Sequence, residues 1–99
     1  MHGTFKKIKA DPLTLESLIA WLEKRPAHVE YCYADNDACL LGQYFTAMGF
    51  DGVIAGSDCF SHGEGMKDIH FPPSFDEIAI GHPRTFGGAL ERARAALTS

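Results

Sequence analysis

Leu15, Leu18, Ile19 and Leu22 recur at the i, i+3, i+4, i+7 spacing that lines one face of an α-helix. The spacing predicts a first helix that begins at Asp11-Pro12 or at Thr14 and stops at Pro26, with Trp21 flanking the stripe and Lys24 and Arg25 near the negative end. The same period returns from Ala38. Ala38, Leu41, Tyr44, Phe45 and Met48 share a face, Leu40 and Ala47 widen it, and Cys39, Gln43 and Thr46 leave a narrow polar stripe. A helix with so much apolar circumference is expected at the centre of the fold. One of Asp35, Asn36 and Asp37 is expected to cap it, because a short side-chain oxygen accepts from free backbone N–H groups. Gly49-Phe50 is expected to close it, glycine in the left-handed conformation and Phe50 folded back on the last turn. Gly42 inside the helix implies a neighbour that approaches closely.

The remaining pattern is shorter in period. Val29, Tyr31 and Tyr33 alternate with Cys32 as the end of a strand, and Thr4 to Lys9 reads as a lysine-rich edge strand with Phe5 near Ile8. Gly52 to Gly56 is expected to be a short buried strand, Ser57 to Gly65 a polar, glycine-rich loop, and Met66 to Phe71 a further strand ended by Pro72-Pro73. Ser74-Phe75-Asp76-Glu77 fits a capping box and predicts a short helix to Ile80, closed by Gly81 and followed by a turn at His82-Pro83. Thr85 is expected to cap a last helix with Phe86, Leu90, Ala93 and Leu97 on one side and a first turn weakened by Gly87-Gly88. Strands that do not alternate regularly with long helices indicate an α+β fold: three or four short strands packed by three main helices and one short helix.

Length and composition narrow the class. Ninety-nine residues, 45% apolar and 22% charged, make a single domain over 1–99 with one core. No apolar run approaches the roughly 20 residues of a membrane span, and MHGTFKKIKA lacks the apolar stretch of a signal peptide. Three cysteines, at 32, 39 and 59, do not make a disulfide framework. A cytoplasmic protein without a cofactor is expected.

Charge changes the picture most. Residues 1–25 and 84–99 each carry a net +2, whereas 26–83 hold nine acids against Lys67 alone, a net −8. An acidic surface repels nucleic acid and attracts basic proteins, chiefly by speeding association. The expected function is therefore non-enzymatic protein binding. Asp35, Asp37, Asp58, Glu64 and Asp68 would meet a basic or nucleic-acid-binding partner, and Gln43 on the polar stripe would add a contact. Solvation of the surface and helix capping are the competing uses of these acids.

The alternative is chemistry centred on residues 57–65. Cys59 and His62, three residues apart on a loop, have donors that can share a zinc ion, with Cys32, Cys39, His28 or His70 completing the set. Cys59 could instead be a nucleophile with His62 or His70 as its base and Asp58 as orienter. Asp35-Asn36-Asp37 opens like a calcium loop but lacks the glycine and the final glutamate. Gly81, Gly87 and Gly88 near Arg84 match neither phosphate-binding glycine motif.

The run WLEKRPAHVEYCYADNDACLLGQYFTAMGF, with its W-L-E-x-x-P opening, paired aromatics and C-L-x-x-Q-Y helix, resembles small proteins of proteobacterial genomes and prophages. The resemblance covers roughly residues 18–50 and implies provenance, with no catalytic residue to carry over. By analogy, a small acidic protein of such origin is compatible with an inhibitor of a host nucleic-acid-binding machine, of the anti-CRISPR kind.

Overall fold

A computed structural model describes residues 11–33, 39–56, 58–65 and 67–98. In chain order these form α1 (Leu15–Leu22), α2 (Leu40–Ala47), β1 (Ile54–Ala55), β2 (Cys59–His62), β3 (Lys67–His70), α3 (Pro73–Ile80) and α4 (Phe86–Thr98). The strands form an antiparallel sheet in the order β1-β2-β3, so the fold is α+β. The edge strand expected over residues 4–9 lies outside the described residues.

Thr14 caps α1, its hydroxyl accepting from the Ser17 N–H at 3.2 Å. The cap of α2 is Cys39, not one of Asp35, Asn36 and Asp37, which lie outside the described residues. The Cys39 Sγ accepts from the Gly42 N–H at 3.2 Å, and the residue is buried instead of facing solvent on a polar stripe. At the other end the chain closes as its sequence implies. Gly49 takes φ +108, its N–H bonds to the Thr46 carbonyl, and the Phe50 N–H reaches back to Phe45 at 3.2 Å. That pair of bonds satisfies carbonyls that would otherwise be orphaned at the helix end. Met48 falls on this terminus and is 37% exposed, so the core face of α2 comprises Leu40, Leu41, Tyr44 and Phe45.

Two aromatic groups form the core and share Tyr44. Phe45 of α2 stacks on Phe60 of β2 at 3.9 Å between ring centroids, with Phe71 and Phe75 parallel beyond at 5.8 and 6.2 Å. On the other side Trp21 of α1 meets Tyr44 and Phe86 edge-on at 5.5 and 5.8 Å. Phe86, Ala89 and Ala93 form the buried face of α4, whereas Leu97 is 44% exposed. Ser74 does not cap α3. Pro72 occupies the cap without a side-chain bond and Pro73 takes the first turn, because proline suits a position whose N–H is unpaired anyway.

The segment before Tyr33 is extended but is not a strand of the sheet. It runs against the start of α4, with the Tyr31 N–H on the Arg84 carbonyl, the Phe86 N–H on Val29 and the Gly87 N–H on Ala27. Tyr31 is buried there, while Val29 is 39% exposed and does not continue the tyrosine face.

The tyrosines give the fold an alkaline limit. Burial holds the Tyr44 phenol well above its ordinary value, and its hydroxyl donates to the Pro12 carbonyl at 2.6 Å. Burial also raises Tyr31, and the hydrogen bond to Asp76 raises Tyr33. Below about pH 10 both folded and unfolded chains keep these protons. Above it the unfolded chain releases protons that the folded chain retains, so stability falls as pH rises toward the folded pKa values. Absorbance titration of tyrosinate, followed together with circular dichroism, should show ionisation coinciding with loss of structure above about pH 10.

Candidate functional site

The stretch expected to be a loop over 57–65 contains the middle strand of the sheet. In β2 the apolar Phe60 and in β3 the apolar Ile69 are cross-strand partners, and Phe60 is fully buried. Side chains alternate across a strand, so Cys59 and Ser61 of β2 lie on the opposite, outer face together with Asp68 and His70 of β3. The register pairs Cys59 with His70 and Ser61 with Asp68. Gly63 and Gly65, both at positive φ, make the turn that brings these strands together.

The outer face is polar on β2 and β3, while Ile54 of β1, paired with Ser61 in the register, lies on the same face and is exposed, so β1 is not the buried strand expected. The Ser61 hydroxyl donates to Asp68 Oδ1 at 2.6 Å. Asp58 stands at the start of β2, where its carbonyl accepts from the Phe71 N–H at 3.0 Å. Single ligand atoms of Asp58, Cys59 and His70 all lie within 4.8 Å of one another. Partial burial pushes the Cys59 thiol up from its ordinary pKa, and the carboxylates of Asp58 and Asp68 push it further. A thiol so placed stays protonated near neutral pH, which is the reverse of what a cysteine nucleophile needs.

Of the residues singled out from the sequence, Asp58, Glu64 and Asp68 are exposed on or beside the hairpin. Among the described residues, none of them pairs with a base; the one ion pair there is Arg94–Glu23 at 2.8 Å. Lys67 pairs with His62 in the register, which puts it on the other side of β3 from Asp68. Asp35 and Asp37 lie outside the described residues. Cys59 and His62 are not brought together. Three positions apart on a strand they face opposite ways, and the His62 ring packs edge-on against Phe50 at 4.8 Å. Cys32 is exposed and Cys39 is spent on the α2 cap, so neither joins Cys59.

Gln43 belongs to another surface. It is half-buried and lines a groove of about 500 Å³ with Trp21, Arg25, Thr46 and Val53, where the Arg25 guanidinium lies over the Trp21 ring at 5.3 Å. His70 is one of two histidines that the sequence offers to Cys59, and the strand register puts it, and not His62, beside the thiol. The signal for that register is the hairpin pattern C-F-S-H, G-x-G, K-D-I-H, in which one apolar residue on each arm fixes which side faces out. Among the described residues no helix is long and apolar enough to cross a membrane. Comparisons with protein-family models, curated proteins and solved structures found no match.

Proposed function

We propose that this chain is a non-enzymatic binding protein whose acidic hairpin occupies a basic site on a partner protein. The observation that carries the reading is the exposure of Asp58, Glu64 and Asp68 with no basic side chain of the described residues neutralising them. Helix capping, the competing use of the acids in this region, does not consume these three: they sit on the hairpin, not at a helix start. Asp68 on β3, Asp58 just before β2 and Glu64 in the tight turn are all carried by one hairpin, which lowers the entropy cost of ordering them on binding. An inhibitor encoded by a phage and directed at a host nucleic-acid-binding machine is one form of such a protein, its carboxylates standing where phosphates would bind. Gln43, on its separate groove, is not part of the face.

Partner capture at low and at high salt tests the reading, because exposed charges are screened beyond about 8–10 Å at 0.10–0.15 M ionic strength. Replacing Asp58, Glu64 and Asp68 together by Asn, Gln and Asn should lower the association rate constant about tenfold and change dissociation much less. Folding stability should change by less than about 0.5 kcal/mol per site, since all three side chains are exposed. An association rate that survives both high salt and the triple substitution would place the contact elsewhere.

A further inference from the structure

We infer that the outer face of the β2–β3 hairpin is a zinc site in which Asp58, Cys59 and His70 each supply one ligand atom. The site goes beyond the acidic docking face, since it requires no partner protein.

Geometry is the first support. Gly56 donates its N–H to the Cys59 carbonyl at 2.8 Å, so the backbone groups of Cys59 point toward β1 and away from β3. Cys59 and His70 are therefore a non-hydrogen-bonded cross-strand pair, the kind whose side chains approach most closely. Asp58 is tied to the same ladder through Phe71. In tetrahedral zinc coordination, with bonds of about 2.0–2.3 Å, neighbouring ligand atoms stand about 3.3–3.8 Å apart. The three atoms already lie within 4.8 Å, and side-chain rotation of Asp58 and His70, both exposed, closes the difference without moving a strand.

Donor chemistry is the second support. Thiolate and imidazole select a borderline-soft cation over magnesium or calcium, which take oxygen ligands. Three protein ligands leave a fourth position for water or for a donor from another molecule, as in open zinc sites. On binding, the Cys59 thiol releases its proton to solvent and the sulfur bonds to the metal. Asp68, held by Ser61 and diagonal to Cys59, contributes a further negative charge beside the dication.

The test uses the full chain, freed of metal by chelation and titrated with Co²⁺ and then with Zn²⁺. One equivalent of Co²⁺ should give a thiolate-to-cobalt charge-transfer band with tetrahedral d–d absorption, and Zn²⁺ should displace both. Cys59→Ser should abolish the charge-transfer band. His70→Ala should weaken binding by at least about 10–100-fold, the range already seen when only an outer partner of a ligand is lost. Cys32→Ser and His62→Ala should leave binding as it was. In the unaltered chain Zn²⁺ should protect Cys59, and not the exposed Cys32, from alkylation mapped by mass spectrometry. Absence of a thiolate band, a band that survives Cys59→Ser, or a loss as large for His62→Ala as for His70→Ala would overturn the assignment.

Discussion

Replacing Phe45 by alanine is expected to lower the free energy of unfolding by about 3–5 kcal/mol, the usual cost of emptying a large buried aromatic site. Phe45 has no solvent exposure, and its ring is shared among α2, β2, the segment after β3 and α3. The cavity would open between elements that are themselves held by it. Phe60, Phe71 and Phe75 each lose a stacked neighbour, and Phe50, folded back from Gly49, loses the ring on which it closes the helix. The loss is a large part of the roughly 5–15 kcal/mol that a small domain possesses. Met48→Ala, at the exposed end of the same helix, is expected to cost about 1 kcal/mol or less. Equilibrium urea unfolding of both variants measures the contrast. Equal losses would mean that the sheet does not pack on the Phe45 face of α2.

Arg92→Ala is expected to destabilise by about 2–4 kcal/mol through an entirely different cause, the loss of hydrogen bonds made by a charged donor to acceptors left unpaired. α3 ends without a basic residue in its last turn, so its final carbonyls must be met from elsewhere. Arg92 of α4 donates Nε to the Ile78 carbonyl at 2.9 Å. The Tyr31 hydroxyl donates to Ala79 at 2.7 Å, and Arg84 reaches the Ile80 carbonyl at 3.2 Å. Arg92 also donates to the Pro83 carbonyl and to the Tyr31 hydroxyl, at 3.0 and 2.9 Å, so one planar guanidinium joins α3, α4 and the segment that carries Tyr31. Its charge also suits the negative end of α3. Arg92→Lys should recover little, because an ammonium cannot meet three acceptors in these directions.

Gly88→Ala probes the same joint from the backbone side. A Cβ there would stand 2.6 Å from the Pro83 carbonyl oxygen, so the turn that offers this oxygen to Arg92 would have to shift. The roughly 1 kcal/mol that alanine gains over glycine in a helix is expected to be outweighed, for a net loss of about 1–3 kcal/mol. Thermal and urea unfolding of Arg92→Ala, Arg92→Lys and Gly88→Ala check the set. Wild-type stability in Arg92→Lys would remove the directional argument.

Local signals in the chain determined what depends on near neighbours. The four-residue apolar spacing of α1, the Thr14 and Thr85 caps, the Gly49-Phe50 closure and the stop at Ile80-Gly81 all rest on residues within a turn of one another, and they stand in the structure. So does the α+β class, since it follows from the kinds of element and not from their arrangement. Other features were set by contacts distant in sequence. Cys59–His62 reads as polar and glycine-bounded, yet it is the middle strand, because pairing on both sides supplies the backbone bonds that its own sequence does not favour. Once that strand exists, alternation separates Cys59 from His62 and register delivers His70, eleven positions along the chain, to its side. The glycines at 87 and 88 read as a weakness in α4. Only the tertiary structure gives their reason, which is the close passage of Ala27 and of the Pro83 carbonyl against the first turn. A sequence records which faces are apolar and where helices can start and stop. Which polar residues meet is decided by register and by the packing of helix ends, because a shift of one residue along a strand turns every side chain to the other face.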